Sequence, residues 1–255
     1  MNLSLKGKRA IVCGSTQGIG KAIALMLSKQ KAHITLVSRD ETKLKNVLKE
    51  LDDSDNQEHN FIVADFNDPD KLKTHISAFL SKGYNAEILI NNTGGPPAGQ
   101  IMNAKKEEFD KYISMHLHCS HILVKAFVPH MKKLKFGRIV NIISVSVKAP
   151  IQNLGVSNTV RWAMASWSKT LSFELGKFGI TINNILPGFT LTERLKDLIN
   201  ETKFDIVGNC TASFGVAEFR RNHSKTKFVS NADNALYKAK DDGRNRVVMY
   251  ESLDY

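Results

Sequence analysis

Cysteine is scarce in this chain of 255 residues: Cys13, Cys119 and Cys210 are widely scattered. An odd, dispersed set excludes a disulfide framework and offers no zinc-ligand spacing, so no metal is expected and the three read as small buried apolar residues. Long apolar runs are missing too. No stretch approaches the ~20 residues needed to cross a bilayer, and the opening Met1-Asn-Leu-Ser-Leu-Lys-Gly-Lys is too polar for a secretion signal. A membrane is therefore not an expected partner, and the cytoplasm is the expected compartment. Acidic residues are outnumbered by basic ones, giving a net charge of +11, which by itself speaks to solubility and non-specific attraction. No arginine-rich block with interleaved aromatics accompanies that charge, so no nucleic-acid partner is expected either. A phosphorylated cofactor or an anionic acyl carrier would draw on the same excess.

What is present is organised around Arg9 to Ala24. A short apolar run, Ala10 to Cys13, reads as a buried strand that Gly14, Gly18 and Gly20 turn directly into an amphipathic helix. Glycine lets a backbone bend sharply and approach a pyrophosphate, while the free N–H groups and positive dipole end of the new helix favour the anion. Ser15, Gln17 and Ile19 complete this candidate cradle; a tight strand-to-helix turn with no ligand is the plainer alternative. Downstream, apolar runs at His33–Asp40, Asn60–Asp65, Ala86–Asn91, Arg138–Ile143 and Ile180–Leu186 alternate with helical periodicity at Lys43–Leu51, Pro69–Leu80, Glu107–Met131 and Val160–Lys177. Such alternation predicts an α/β fold, a Rossmann-like doubly wound parallel sheet covered on both faces.

Four motifs in order make residues of about 3–200 resemble the short-chain dehydrogenase/reductase family. They are the glycine loop, Asp65 after the third strand, Asn91-Asn-Thr-Gly94 after the fourth, and Pro187-Gly188 with Thr192 after the sixth. The stretch Asn91 to Pro97 is similar to the 3-oxoacyl-carrier-protein reductase-like subgroup. This resemblance implies a dinucleotide held by those residues, a small-molecule or acyl-carrier-linked carbonyl substrate, and a homodimer or tetramer formed through the helices near Tyr112 and Val160. An NAD enzyme of this fold ends its second strand with an acidic residue, whereas a 2′-phosphate wants a cation there. Arg39 at that place favours NADP over NAD; alternatively Arg39 is a solvated surface residue and Asp40 does the acidic job.

The family's catalytic tetrad is Asn, Ser, Tyr and Lys. Placing Arg138-Ile-Val-Asn-Ile-Ile-Ser144 on the fifth strand puts Ser144 on the serine, and the downstream segments Trp167–Leu171 and Gly179–Asn183 fix that register. The tyrosine position is then Ser157, the lysine Arg161 and the asparagine His116, and no tyrosine lies between Tyr112 and Tyr237. A serine hydroxyl titrates far above tyrosine's pKa of about 10, and arginine does not give up its proton. The resulting expectation is that Ser144 and Ser157 bind the substrate oxygen, Arg161 orients the cofactor and His116 supplies the proton. A packed structural histidine is the alternative reading of His116.

Beyond Asn200 the family pattern stops. Thr211–Val216, Ala232-Asp233, Ala235-Leu-Tyr237, Ala239-Lys240 and Gly243-Arg-Asn-Arg246 resemble the last quarter of a GGDEF diguanylate cyclase domain. The resemblance implies a strand-helix-strand fragment over 201–255 in which Lys240 and Arg244 occupy triphosphate-binding positions. The signature hairpin and metal-binding carboxylates are absent, which excludes cyclase activity. Two readings of the fragment stay open: a leftover of a fusion, or a helix and strand (Val229 to Tyr250) standing in for the family's missing last helix and seventh strand.

Overall fold

The computed structural model describes residues 4–190, 192–202, 214–216, 225–242 and 247–249. In chain order the elements are β1 (Arg9–Cys13), α1 (Gly18–Lys29), β2 (His33–Ser38), α2 (Glu41–Leu48), β3 (Asn60–Val63), α3 (Pro69–Ser81), β4 (Ile88–Asn91), α4 (Lys106–Ile113), a π-helical turn (Ser114–His118), α5 (Cys119–Leu134), β5 (Gly137–Ile142), α6 (Gly155–Leu175), β6 (Ile180–Ile185), α7 (Glu193–Thr202), β7 (Phe214–Val216), α8 (Lys225–Asp241) and β8 (Val247–Met249). The chain divides into two units, Met1–Phe204 and Asp205–Tyr255.

The first unit carries a six-stranded sheet in the order β3-β2-β1-β4-β5-β6, every neighbouring pair parallel. Strand order therefore reverses between β1 and β4, and a crevice opens there at the carboxyl ends of the strands. Alternation along the strands supplies two cores. Ile11, Cys13 and Leu89 face Leu72, Ile76, Leu123 and Phe127 of α3 and α5, while Ala10, Val12, Ile88 and Ile90 face Ala24, Leu44 and Val47 of α1 and α2. Covering both faces is what lets β1 and β4 read as continuous apolar runs.

Helix starts account for most departures from the sequence expectations. The second strand stops at Ser38 because the Asp40 side chain accepts from the Lys43 amide at 2.9 Å and caps α2, which begins ahead of the expected Lys43. Asp68 caps α3 in the same way, with Pro69 in the first turn. The expected single helix Glu107–Met131 is interrupted by the π turn at Ser114–His118, a feature that apolar periodicity does not reveal. α6 begins at Gly155 rather than near Val160. A Cβ at Gly155 would lie 2.6 Å from the Ile101 Cα, so glycine permits this close approach.

The second unit shows the expected order of strand, helix and strand. β7 and β8 pair with each other in parallel as a two-stranded sheet. Cys210, Arg244 and the rest of the Gly243–Arg246 segment lie outside the described residues, as does the Lys240 side chain. Among the described residues no helix is long and apolar enough to cross a membrane.

Candidate functional site

The turn from β1 into α1 is shaped by glycines that have no room to be anything else. Gly14 and Gly18 have φ of +58° and +54°, and a Cβ on Gly14 would sit 2.6 Å from the Asn92 Nδ2. A Cβ on Gly20 would sit 2.2 Å from the Gly14 carbonyl oxygen. Asn92 donates through Nδ2 to the Cys13 and Gly14 carbonyls, both at 3.2 Å, tying the end of β4 to the turn. Ser15 is fully buried and anchors the turn to β2, its Oγ accepting from the Val37 amide at 3.1 Å.

The turn leads into a helix end left open. Gln17 caps α1 without a side-chain hydrogen bond and the first turn holds no acidic residue, whereas α2 and α3 are both capped by aspartates. The first N–H groups of α1 are thus the ones available to an anion in the crevice. The segment after β6 returns to this end: Thr192 approaches within 3.4 Å of the position a Gly18 Cβ would take, and the Leu195 amide donates to its Oγ1 at 3.3 Å.

A cleft of roughly 640 Å³ runs from this cradle along the carboxyl edge of the sheet, within the size range of small-molecule sites. At one end Ser38, Arg39, Asp40, Lys43, Asp65 and Phe66 form its wall. Asp40 is engaged with the Lys43 amide and lies 3.9 Å from the Lys43 ammonium; Asp65 accepts from both the amide and the side chain of Asn67 at 2.9 and 2.8 Å. Arg39 is exposed on the wall.

At the other end the Gly94-Gly95-Pro96 segment is bracketed by side chains. Arg161 is 9% exposed, donates from Nη1 to the Ile142 carbonyl at 3.0 Å, and would stand 3.2 Å from a Gly95 Cβ. Its Nε has no partner. Burial and the charge of Arg194 push its pKa down to about 10, so it remains charged at neutral pH. Arg194 donates to the Pro96 carbonyl at 2.6 Å. Ser144 and Ser157 share this wall, with the Ser144 Oγ accepting from the Ser146 amide at 3.1 Å.

Of the residues expected from the sequence, Gly14, Gln17, Gly18, Ile19, Arg39, Asp65, Gly94, Pro187, Gly188, Thr192, Ser144, Ser157 and Arg161 line the cleft. Ser15, Gly20 and Asn91 stand behind it. Asn91 is 4% exposed and donates to Asn141 Oδ1 at 2.7 Å, within a buried network that reaches Ser168 and Asn184. His116 is the residue expected to supply the proton. It is 3% exposed, off the cleft wall, and its Nε2 lies 3.1 Å from the Gly94 carbonyl oxygen, which only accepts, so that nitrogen carries its proton. Burial first, and the charge of Arg161 second, hold this imidazole well below its usual range, so it is neutral. Lys43, Tyr112 and Arg194 also line the cleft, although no motif marks them as site residues, and Thr16 and Asn92 line it from within the glycine loop and the Asn91–Gly94 motif. Among the described residues no group of three or more His, Cys, Asp or Glu could hold a metal ion.

Residues 8–203 match the family described as short chain dehydrogenase. The 3-oxoacyl-[acyl-carrier-protein] reductase of Haemophilus influenzae is 31% identical over 210 residues, which is 82% of this chain and 84% of that protein. The L-sorbose reductase of Gluconobacter frateurii, solved with NADPH and L-sorbose, is similar with a TM-score of 0.72 at 29% identity, over 79% of this chain and 78% of that one. The 3-ketoacyl-(acyl-carrier-protein) reductase of Brucella melitensis, solved with NADH, gives a TM-score of 0.69 at 26% identity, over 76% and 80%. With the glycine turn, the reversal of strand order at β1 and β4, and a match over most of its length, the chain belongs to the short-chain dehydrogenase family of oxidoreductases.

Proposed function

We propose that this chain is an NADP-dependent oxidoreductase of the cytoplasm that moves a hydride to or from a carbonyl or alcohol carbon, in the manner of its 3-oxoacyl-[acyl-carrier-protein] reductase relatives. The observation that carries the cofactor choice is the engagement of Asp40. Its carboxylate caps α2 and faces Lys43, leaving Arg39 as the charged group that meets the adenosine ribose. A guanidinium there pairs with a 2′-phosphate and gives a bare ribose hydroxyl little. The open N-terminus of α1 suits the pyrophosphate, and Gly14 and Gly20 permit the tight turn that presents it, since a Cβ on either would collide with Asn92 or the Gly14 carbonyl. When bound, the dihydronicotinamide supplies the hydride.

The chain's own residues would do the rest. Ser144 and Ser157 offer hydroxyl donors to the substrate oxygen. Arg161, one turn along α6 from Ser157, adds a fixed positive charge that favours a developing alkoxide. His116 is a positioning residue that holds the Gly94 carbonyl and with it the backbone between β4 and α4. With no phenol at position 157 and a neutral, buried His116, the proton reaches the alkoxide from water in the cleft. Such a site is atypical for the family and turns over more slowly than one with a positioned acid. The substrate is a small-molecule or acyl-carrier-linked carbonyl. Half-exposed Trp162 and exposed Phe173 on α6 support a homodimer or tetramer through that helix. The catalytic unit spans 1–200, and 201–255 is an appended GGDEF-like fragment.

Equilibrium titration with NADPH and NADH, followed by NADPH oxidation across a panel of ketones, tests the proposal. Binding without oxidation would favour a second reading, a dinucleotide-binding protein without turnover, which the withdrawal of His116 from the cleft supports.

A further inference from the structure

The guanidinium of Arg161 has a charge without a counter-charge. Among the described residues it forms no ion pair, its hydrogen bond goes to a neutral backbone carbonyl, and its Nε is orphaned. A buried cation in that condition is costly unless something anionic meets it. The acidic residues on the cleft wall do not serve: Asp40 and Asp65 are engaged at the adenosine end, and Glu193 is paired with Lys196 at 2.7 Å. Gly95 keeps the space beside the guanidinium clear, since a Cβ there would crowd Nη2 at 3.2 Å.

We infer that Arg161 is a receptor for a carboxylate of the substrate, and that the substrate is an oxo acid or hydroxy acid rather than a thioester or a neutral ketone. The inference rests on the oxidoreductase reading for the reaction. There, the carbonyl carbon of an oxo acid gains a hydride, the carbonyl oxygen gains a proton from water, and a dihydronicotinamide is oxidised, giving the hydroxy acid. Two anions could meet Arg161: a substrate carboxylate or a phosphate of the dinucleotide. The second has its own receptors at the α1 terminus and at Arg39, whereas Arg161 projects from α6 beside Ser157, Ser144 and the end of β5. A guanidinium fork matches a carboxylate with two parallel hydrogen bonds, which the shorter ammonium of a lysine does not reproduce.

The test compares acids with their neutral esters: pyruvate with methyl pyruvate, and acetoacetate with ethyl acetoacetate, titrated calorimetrically into the full chain saturated with NADP. Binding of at least one acid at least tenfold tighter than its ester is expected, with the preference lost in Arg161→Met and only partly kept in Arg161→Lys. Equal binding of acid and ester by the unmodified chain, or no binding of either acid, overturns the inference without any variant having to fold. A tenfold loss of NADPH affinity in Arg161→Met with no acid preference also overturns it and assigns the charge to the dinucleotide. If NADPH does not bind the unmodified chain, the oxidoreductase reading fails instead, and the same titrations on the cofactor-free chain still decide the carboxylate receptor.

Discussion

Ser157→Tyr should turn a slow site into a faster one. Ser157 is half-buried on α6, faces the cleft beside Ser144, and precedes Arg161 by four residues, one helical turn on the same face. A phenol introduced there has an ordinary pKa of about 10, lowered by the adjacent guanidinium toward the range in which it can give its proton to an alkoxide. General acid catalysis contributes about 10²- to 10⁴-fold, or roughly 2.7–5.4 kcal/mol of barrier. The lower end is expected here because Arg161 is anchored on the Ile142 carbonyl and is not placed to relay the proton onward. The assay is the initial rate of NADPH oxidation at saturating cofactor, with kcat and KM separated for each carbonyl compound. A rise of about 10²-fold in kcat with little change in the Kd for NADPH is the expected result. No gain in kcat, in a variant that melts within a few degrees of the parent and binds NADPH equally well, would refute this reasoning.

Arg39→Ala should weaken NADPH about tenfold, close to 1.4 kcal/mol and low in the range for a charge-assisted pair because the residue is exposed, while leaving NADH binding unchanged by titration. Asp40→Ala should lower stability by about 1 kcal/mol in denaturant unfolding through loss of the α2 cap, with no change in cofactor preference. Its preference would shift if Asp40 read the ribose. Because His116 is held neutral in the fold, the unfolded chain binds the extra proton as pH falls below about 6.5. Stability should therefore drop by up to about 1.4 kcal/mol per pH unit there, a loss that His116→Asn removes in melts compared across that range. Gly20→Ala should abolish NADPH binding, because its Cβ would meet a backbone carbonyl at 2.2 Å and the turn must open.

The alternation of strands and helices and the tight turn after β1 were legible because they rest on local signals: apolar runs between helical segments, and glycines at the first of those junctions. Register carried Ser144, Ser157 and Arg161 to the cleft because Ser144 closely follows β5 and Ser157 and Arg161 lie one turn apart on α6. His116 was not legible. The π turn and the carbonyl of Gly94, twenty-two residues away in sequence, decide where its ring goes. Asn91 and Asn92 show the same limit at closer range. Asn91 ends β4 and bonds Asn141 of β5, whereas Asn92 lies just past the strand and meets the β1 turn. Arg194 enters through a contact with the Pro96 carbonyl that no spacing rule contains. The orphaned Nε of Arg161 emerges only once its neighbours are known.

Everything proposed for this chain depends on the cleft over β1 and β4 holding a dinucleotide and reading its 2′-phosphate. Fluorescence titration of the full chain with NADPH and with NADH tests that most directly. Saturable binding of both, with NADPH at least about tenfold tighter, is predicted; binding of neither, or equal affinity for the two, would contradict it.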